Sequence, residues 1–202
     1  MKNLQLPITI RTAVPKEIPM DAEHLEAIAS AQNAKLVEGY KILEDIADDE
    51  PYSMYAEVNI DNDRLWQAIK ILLLDYPPEV SLIIGHIDEE PFYSPYIDKR
   101  QILNIIAEFE NELRLDPFLE FGLMFYDEVV LKEIFIKKAK YIQVWDFEKD
   151  KFLKAMKQLT INEIPDINFI DEFPMVSFSV SQFSDKGITT EEIIGQIVKQ
   201  FE

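Results

Sequence analysis

The chain has 202 residues and is strongly acidic, with 38 Asp and Glu residues against 20 Lys and Arg residues and a formal net charge of −18. With 48% hydrophobic residues and only 5 glycines, it matches neither a disordered nor a collagen-like chain. It contains no cysteine, which excludes a disulfide-stapled scaffold and a thiolate zinc site. The acidic balance also argues against an electrostatic nucleic-acid-binding protein, because phosphate would be repelled.

The N-terminal segment predicts a strand–helix extension. Residues 6–14 alternate apolar and polar side chains, which is typical of a short strand. A helix is expected over about residues 21–32, with Asp21 as its N-cap. Residues 35–49 fit neither the helical nor the strand period. The start of the chain lacks the apolar segment of a signal peptide and no stretch is long enough to span a bilayer, so we expect a cytoplasmic protein.

From residue 51 onward the sequence resembles itself. Residues 55–58 (YAEV) match residues 141–144 (YIQV) at an offset of 86, since 141 − 55 = 86. The helices predicted after these two strands share an apolar stripe at an offset of 87 (152 − 65 = 87), with the spacing of an amphipathic helix. The stripe consists of Leu65, Trp66, Ile69 and Leu72 in the first half and of Phe152, Leu153, Met156 and Leu159 in the second.

Each half then predicts a second strand and a second helix. The strands are expected at residues 80–84 and 167–169, and each is followed by the string I-D-E-x-P, at residues 87–91 and 170–174. We interpret this similarity as a true internal duplication. The alternative is chance matching among common residue types. The closing helices are expected over residues 98–114 and 189–201, with capping-box spacing at Asp98 and Gln101 and at Thr189 and Glu192.

Residues 118–126 and 129–137 predict a β-hairpin with its turn at Asp127-Glu128, leading into the strand at Tyr141. We therefore predict an α+β fold, with a mixed, mainly antiparallel sheet and helices on one face, built from two tandem βαβα-like repeats joined by the hairpin. Two subdomains are the alternative, although no Gly/Ser-rich linker separates the halves. The predicted segments are residues 1–50 (extension), 51–116 (first repeat), 117–138 (hairpin) and 139–202 (second repeat).

One local pattern could carry catalytic or metal-binding chemistry. In an extended segment, His86, Asp88 and Glu90 would lie on one side, as a metal site or an acid–base pair requires. Asp171 and Glu172 from the second half would complete a site between the repeats, which is the enzyme alternative. A solvated acidic loop is the interpretation of the same residues that we prefer.

The other catalytic signatures are missing from the sequence. There is no cysteine or G-x-S-x-G nucleophile, and no glycine-rich motif that would cradle a phosphate. We therefore predict a protein without a cofactor or a metal, and we favour a binding function over catalysis.

An aromatic and proline-rich segment at residues 91–97 is the most distinctive candidate contact surface. It holds Phe92, Tyr93 and Tyr96 between two prolines, which keep the chain extended or turned and hold some rings near the surface. Aromatic anchors with a charged rim are typical of protein interfaces. The alternative is that the rings fold inward and cover a helix or a sheet edge.

Charge is distributed unevenly along the chain. Residues 42–63 contain eight acidic residues and no basic one, whereas residues 132–157 contain eight lysines and four acidic residues. An acidic field of this size accelerates association with basic partners, and it also keeps a protein soluble. The residues predicted to bind a partner are Phe92, Tyr93, Tyr96, Asp48, Asp49, Glu50, Asp88, Glu89 and Glu90.

The function predicted from the sequence is a non-enzymatic, acidic domain that docks a basic protein partner. A toxin or nuclease with a positively charged active site would be such a partner. A cysteine-free, acidic α+β domain without catalytic motifs is similar in style to small bacterial inhibitor and immunity proteins, although no shared motif supports that analogy. We expect a monomer or a homodimer, and a self-associating structural protein is a third alternative.

Overall fold

The structure, a computed structural model, describes residues 2–19, 21–43, 46–47, 49–183 and 187–202. The strands are β1 (Ile10–Thr12), β2 (Gly39–Leu43), β3 (Met54–Asn59), β4 (Glu79–His86), β5 (Phe92–Tyr93), β6 (Ile97–Asp98), β7 (Leu119–Tyr126), β8 (Leu131–Ile136), β9 (Ile142–Asp146) and β10 (Met175–Ser177). An eight-stranded sheet runs in the order β2-β3-β9-β8-β7-β4-β5, and β6 pairs with the start of β4. All of these pairs are antiparallel.

The helices pack mainly against one face of this sheet. They are α1 (Ala22–Asn33), α2 (Leu65–Leu72), α3 (Lys99–Ala107), α4 (Glu110–Leu115), α5 (Lys149–Leu159) and α6 (Thr190–Val198). Helices α2 to α6 contribute apolar side chains to one core together with alternate residues of the strands, such as Leu82, Leu123 and Val144. The α+β class with a mainly antiparallel sheet is therefore confirmed. None of the helices within the described ranges has the length and apolar character needed to cross a membrane.

Local sequence signals account for several element boundaries. Asp21 caps α1 by accepting a hydrogen bond from the His24 backbone N–H at 2.9 Å. Thr189 and Glu192 form the predicted capping box at the start of α6. Asp98 caps α3 through the Arg100 backbone N–H at 2.7 Å. These caps satisfy N–H groups that have no partner inside the helix, which explains why the helices begin where they do.

The predicted hairpin is confirmed. Strands β7 and β8 pair from Phe121 opposite Ile136 to Tyr126 opposite Leu131. Asp127 closes the turn by accepting hydrogen bonds from the backbone N–H groups of Val129 and Val130. The chain then enters β9, which pairs with β8 on one side and with β3 on the other.

The second predicted repeat departs from the first after its helix. The strand expected at residues 167–169 is wrong: these residues form no strand, and Ile170–Glu172 is a 3-10 helix. Phe169 instead packs on the ring of Tyr141, with ring centroids 4.6 Å apart. The next strand, β10, pairs with β1 in a separate two-stranded sheet. The apolar side chains at residues 167–170 are buried because they cover one end of the main sheet. An apolar run can therefore be buried here without forming a strand, which is why the prediction failed.

The ambiguous segment at residues 35–49 contains an edge strand. Within it, β2 pairs with β3 over Gly39–Leu43, and its other edge bonds to the segment after α5 through Tyr40 N–H to Asn162 O and Ile164 N–H to Tyr40 O. The Gly39 position has no room for a side chain, because a Cβ there would lie 2.8 Å from both Ile164 and Ile167. Residues 162–167 pack against both the backbone and the side-chain positions of this strand, so its residues do not show the alternation of apolar and polar side chains that is typical of a strand.

Candidate functional site

The face of the main sheet opposite helices α2 to α6 is called here the second face. Residues directly opposite each other on antiparallel strands point to the same side of a sheet. Tyr55 lies opposite Trp145, Trp145 opposite Glu133, and Glu133 opposite Met124. This register lines up an aromatic pair, a carboxylate and a thioether across four strands, and all four side chains are half-buried.

A second row of side chains runs beside the first. Glu57, Gln143 and Phe135 face one another across β3, β9 and β8. The ring of Phe135 covers Gly122 on β7, where a Cβ would lie 2.7 Å from the ring and 2.6 Å from the Ile134 carbonyl oxygen. A side chain at Gly122 would therefore displace the ring. The glycine lets Phe135 lie flat along the second face.

A hydrogen-bonded chain fixes the middle of this face. The Gln143 Nε2 group donates to the Tyr55 hydroxyl at 2.5 Å, and this hydroxyl donates to Glu57 Oε1 at 2.8 Å. Lys41 Nζ pairs with Glu57 Oε2 at 2.9 Å and lies 4.7 Å from the ring centroid of Phe169. Burial acts to raise the pKa of Glu57, but the hydrogen bonds from Lys41 and Tyr55 outweigh it, so the pKa lies below its ordinary value.

For Glu133, no hydrogen bond or ion pair offsets the effect of burial on the pKa. Burial raises the pKa of its carboxyl group from 4.5 to about 7. Among the described residues, no side chain forms a hydrogen bond or an ion pair with this carboxylate. Its neighbours on the second face are the Trp145 and Met124 side chains. Such surroundings favour the neutral form of the carboxyl group, because burying an unpaired charge is costly.

An open cleft borders the second face where β2 and β3 are connected. Its volume is about 470 Å³. The rings of Tyr55 and Trp145 meet there with centroids 5.0 Å apart and an angle of 42° between their planes. Its lining consists of Leu43, Ile46, Ala47, Glu50, Tyr52, Tyr55 and Trp145. The cleft thus combines aromatic faces, aliphatic walls and one carboxylate.

The predicted aromatic segment lies at the opposite edge of the sheet. Tyr93 is 57% exposed and lies directly opposite Ile83 of β4, on the same side as the second face. Tyr96 is 42% exposed, and its hydroxyl accepts a hydrogen bond from the Tyr126 backbone N–H at 3.0 Å. Phe92 is half-buried and packs against Phe201, with ring centroids 6.1 Å apart. The expectation that some of these rings stay at the surface is confirmed for the two tyrosines.

The predicted acidic residues fall into two places. Asp49 and Glu50 are exposed in the connection between β2 and β3, and Glu50 lines the aromatic cleft. Asp88, Glu89 and Glu90 are exposed in the turn after β4. Asp48 lies outside the described residues.

The residues of the enzyme alternative are not brought together. Strand β4 ends at His86, and in the turn that follows the Asp88 backbone N–H, rather than its carboxylate, contacts His86 Nδ1 at 3.3 Å. His86 lies opposite Leu119 on the helix-covered side, and its ring stacks on Phe118 at 6.2 Å. In the described ranges, no group of three or more His, Asp or Glu side chains is arranged to hold a metal.

The second-half carboxylates of that alternative lie elsewhere. Asp171 forms a hydrogen bond with Tyr141, which belongs to the second face, whereas His86 belongs to the opposite face. Glu172 accepts hydrogen bonds from the Asn168 side chain and from the Phe169 backbone N–H. Its carboxylate therefore completes the start of the 3-10 helix rather than a shared site with His86.

Sequence reasoning missed most of the second face. The sequence patterns place Tyr55, Glu57 and Gln143 only in matching strands and Glu133 and Phe135 only in a hairpin, and they assign Trp145 to no element. The period of two in each strand does place these residues on one side of it. The alternation within each strand does not predict the strand order β3-β9-β8, and it is this order that joins the three strands into one surface.

Comparison with protein-family models, with curated proteins and with solved structures finds no significant match.

Proposed function

We propose that this chain is a non-enzymatic binding domain that docks a basic protein partner through the second face of its sheet. The observation that carries the proposal is Glu133, a half-buried carboxylate beside Trp145 to which no described residue supplies a cation. A lysine or arginine of the partner would supply the missing charge at the centre of an aromatic surface. Buried aromatic anchors with matched charges are the features that dominate protein interfaces.

The dimensions of the face suit a protein rather than a small ligand. Neighbouring strands lie about 4.8 Å apart, so the path from β2 to β5, with six strand-to-strand steps, is about 29 Å wide. Tyr93 stands at one edge and Glu50 at the other, so two of the predicted contact residues border the same surface. Residues 167–170 cover one end of this face over Tyr141, so a partner would dock on the rest of it, around Trp145, Glu133 and Tyr93.

Long-range electrostatics supports the same type of partner. The net charge of −18 attracts positively charged proteins and accelerates their encounter at low ionic strength. A protein whose own active site is positive because it handles nucleic acid is the partner class we propose, and the cysteine-free composition agrees with a cytoplasmic setting. The domain acts as a monomer or a homodimer in this proposal.

The test begins with capture of partners from the host extract by the intact chain. A captured protein is then purified and titrated against the chain at about 50 mM and about 500 mM salt. We expect a basic protein that binds much more weakly at high salt. Glu133→Gln should weaken its binding about tenfold or more, since a cation of the partner would be left unpaired.

Asp150→Asn is the matched control for this substitution. Asp150 is an exposed carboxylate on α5, on the helix-covered side of the sheet. Its neutralisation should leave binding within about twofold of the wild-type value. The proposal is overturned if no basic protein binds at low salt, or if the two neutralising substitutions weaken binding equally.

A partial internal duplication is a second proposal, and it concerns the origin of this face. The offset of 86 takes Glu57 to Gln143 (57 + 86 = 143), and these two residues lie directly opposite each other in β3 and β9. Adding the offset to Ala56 gives Ile142, and subtracting it from Val144 gives Val58. The pair Ala56–Val144 is thereby converted into the pair Ile142–Val58, which is also present in the sheet. Helices α2 and α5, which follow these strands, contact each other. This twofold relation supports a duplicated strand–helix unit, and it stops before residue 167.

A further inference from the structure

The aromatic cleft beside β3 has a rigid inner wall. The Tyr55 hydroxyl is held by Gln143 at 2.5 Å and by Glu57 at 2.8 Å, so the ring cannot rotate away from Trp145 without breaking both hydrogen bonds. The Trp145 ring packs against it at 5.0 Å. These two rings, together with Tyr52, present aromatic surface to the 470 Å³ space. Aromatic faces attract cations because their π electrons give them a negative potential.

Charge in and around the cleft favours a cation as the occupant. Glu50 lines the cleft and is exposed, so its carboxylate is accessible to an incoming group. Residues 42–63 contain no basic residue that could neutralise it locally. The nearest lysine in sequence, Lys41, is paired with Glu57 at 2.9 Å. On the other side of Trp145 lies Glu133, so the indole ring has a carboxylate on the neighbouring strand as well.

The remaining walls are aliphatic. Leu43, Ile46 and Ala47 line the cleft together with the rings. A lysine side chain has an apolar four-carbon stem and a compact charge at its end, which matches aliphatic walls followed by aromatic faces and one carboxylate. Arginine carries a broader planar charge and binds carboxylates most strongly through two hydrogen bonds at once. Lysine is therefore the side chain that we expect in this cleft.

From this arrangement we infer that the cleft binds a lysine side chain of the basic partner. The ammonium group lies against the faces of Tyr55 and Trp145 and pairs with Glu50, while the stem lies along Leu43 and Ile46. This inference rests on the proposed function, and it specifies which chemical group of the partner the cleft receives.

The test uses short peptides as probes, so that it does not depend on knowing the partner. Three Gly/Ser peptides differ only at a central residue, which is lysine, norleucine or arginine. The ¹⁵N-labelled intact chain is titrated with each peptide, and the indole N–H signals of Trp145 and Trp66 are followed. The lysine peptide should shift the Trp145 signal with at least about tenfold higher affinity than the norleucine peptide, because norleucine has a similar apolar stem but no charge. Trp66, which is only 6% exposed in α2, should not shift.

Two substitutions locate the binding. Glu50→Gln changes an exposed side chain and should weaken binding of the lysine peptide about threefold, while Trp145→Leu should abolish it. Glu89→Gln, an exposed carboxylate in the turn after β4, is the matched control and should have no effect. Because Trp145 is half-buried, the folding of the Trp145→Leu variant is checked by circular dichroism, and Glu50→Gln keeps the test valid if that variant unfolds.

The inference is overturned if norleucine binds as well as lysine, if arginine binds better than lysine, or if Glu50→Gln and Glu89→Gln have equal effects. Its failure is distinguishable from failure of the proposed function. A captured basic protein that depends on Glu133 but not on Trp145 or Glu50 would refute the lysine cleft alone. A lysine peptide that binds in the cleft of a chain that captures no basic protein would refute the proposed partner while leaving the cleft assignment intact.

Discussion

Lys132 and Glu133 are neighbours in β8, yet they point to opposite faces of the sheet and have opposite electrostatic surroundings. Lys132 is 7% exposed on the helix-covered face, where its Nζ pairs with Asp146 at 3.0 Å and with Glu148 at 2.5 Å. Burial acts to lower the pKa of Lys132, but these two carboxylates outweigh it and raise the pKa. Glu133, on the second face, has its pKa raised to about 7 by burial alone.

The same difference is found more widely on the two faces. On the covered face the Thr190 hydroxyl donates to Asp116 at 2.7 Å, and the Lys140 ammonium donates to the Leu119 carbonyl oxygen at 2.7 Å. These two groups of the covered face thus find partners within the chain, whereas the Tyr76 hydroxyl, buried in the same core, has none among the described residues. The second face leaves Glu133 uncompensated beside aromatic rings. The comparison teaches that two neighbouring residues of one strand can have opposite surroundings, with the charge of Lys132 paired inside the chain and the carboxyl group of Glu133 left without a described partner.

The largest effect should come from a core deletion on the covered face. Leu123 is fully buried, so Leu123→Ala should lower the free energy of unfolding by about 3–4 kcal/mol through lost apolar contacts and a cavity. Phe135→Ala on the second face, where the ring is half-buried, should cost only about 1–2 kcal/mol. Urea unfolding monitored by circular dichroism measures both. Equal losses would show that the second face is as much a part of the core as the first.

Removing the buried ammonium should be the next largest change. Lys132→Met leaves Asp146, which is 5% exposed, without its cation, and should cost about 3 kcal/mol at neutral pH. Urea unfolding of Lys132→Met and of the double variant Lys132→Met/Asp146→Asn provides the measurement. The double variant should recover much of the loss, because no buried charge remains. A loss that the second substitution does not relieve would contradict the electrostatic explanation.

Glu133→Gln should have the opposite sign and stabilise the free protein. Its carboxyl pKa is about 7 in the folded chain against an ordinary value of 4.5, so the folded state binds more protons between these pH values. Stability contributed by the protonated form is therefore lost as the pH rises through this window. Allowing for partial solvent screening, we expect Glu133→Gln to gain about 1–2 kcal/mol at pH about 8 and almost nothing at pH about 4.

The measurement for Glu133→Gln is a series of urea unfolding curves across this pH range. Asp150→Asn should show no comparable gain, because that carboxylate is exposed. A gain from Glu133→Gln that did not change with pH would mean that burial of the charge is not its cause.

The smallest effect concerns the hydrogen-bonded chain on the second face. Tyr55→Phe removes the hydroxyl that accepts from Gln143 and donates to Glu57, and it should cost about 1 kcal/mol. The pKa of Glu57 should rise, because one of the hydrogen bonds that lower it is lost. Carboxyl ¹³C chemical shifts measured during a pH titration report this change. An unchanged Glu57 pKa would indicate that Lys41 and Gln143 determine it without the tyrosine hydroxyl.

Local signals in the sequence predicted much of the fold. The apolar stripes of α2 and α5 and the capping box at Thr189 each depend on residues close together in the chain, and each is confirmed. The hairpin is also confirmed, but its turn extends from Asp127 to Val130, and its second strand begins at Leu131 rather than Val129. The missing strand at residues 167–169 shows the limit of this approach. Apolar residues there are buried by packing on Tyr141, which is a contact that no local period encodes.

The candidate site was less predictable for a related reason. Tyr93 and Glu50 were predicted from composition, and both border the second face. Tyr55, Trp145 and Glu133 come together only because β9 lies between β3 and β8. Pairing between residues 54–58 and 142–146 joins segments far apart in the sequence, so an alternating pattern in each strand could not reveal the shared surface.

The pairing of early strands with late ones has a consequence during synthesis. Strand β3 ends at Asn59 and its partner β9 ends at Asp146, 87 residues later (146 − 59 = 87). Ribosomes add about 5–20 residues per second, so β3 waits roughly 4–17 s for that partner. Strand β1 waits longer, because β10 ends at Ser177. During this interval one edge of the β2–β3 hairpin has unpaired N–H and C=O groups, and a nascent chain in this state is a substrate for chaperones and for pairing with other chains.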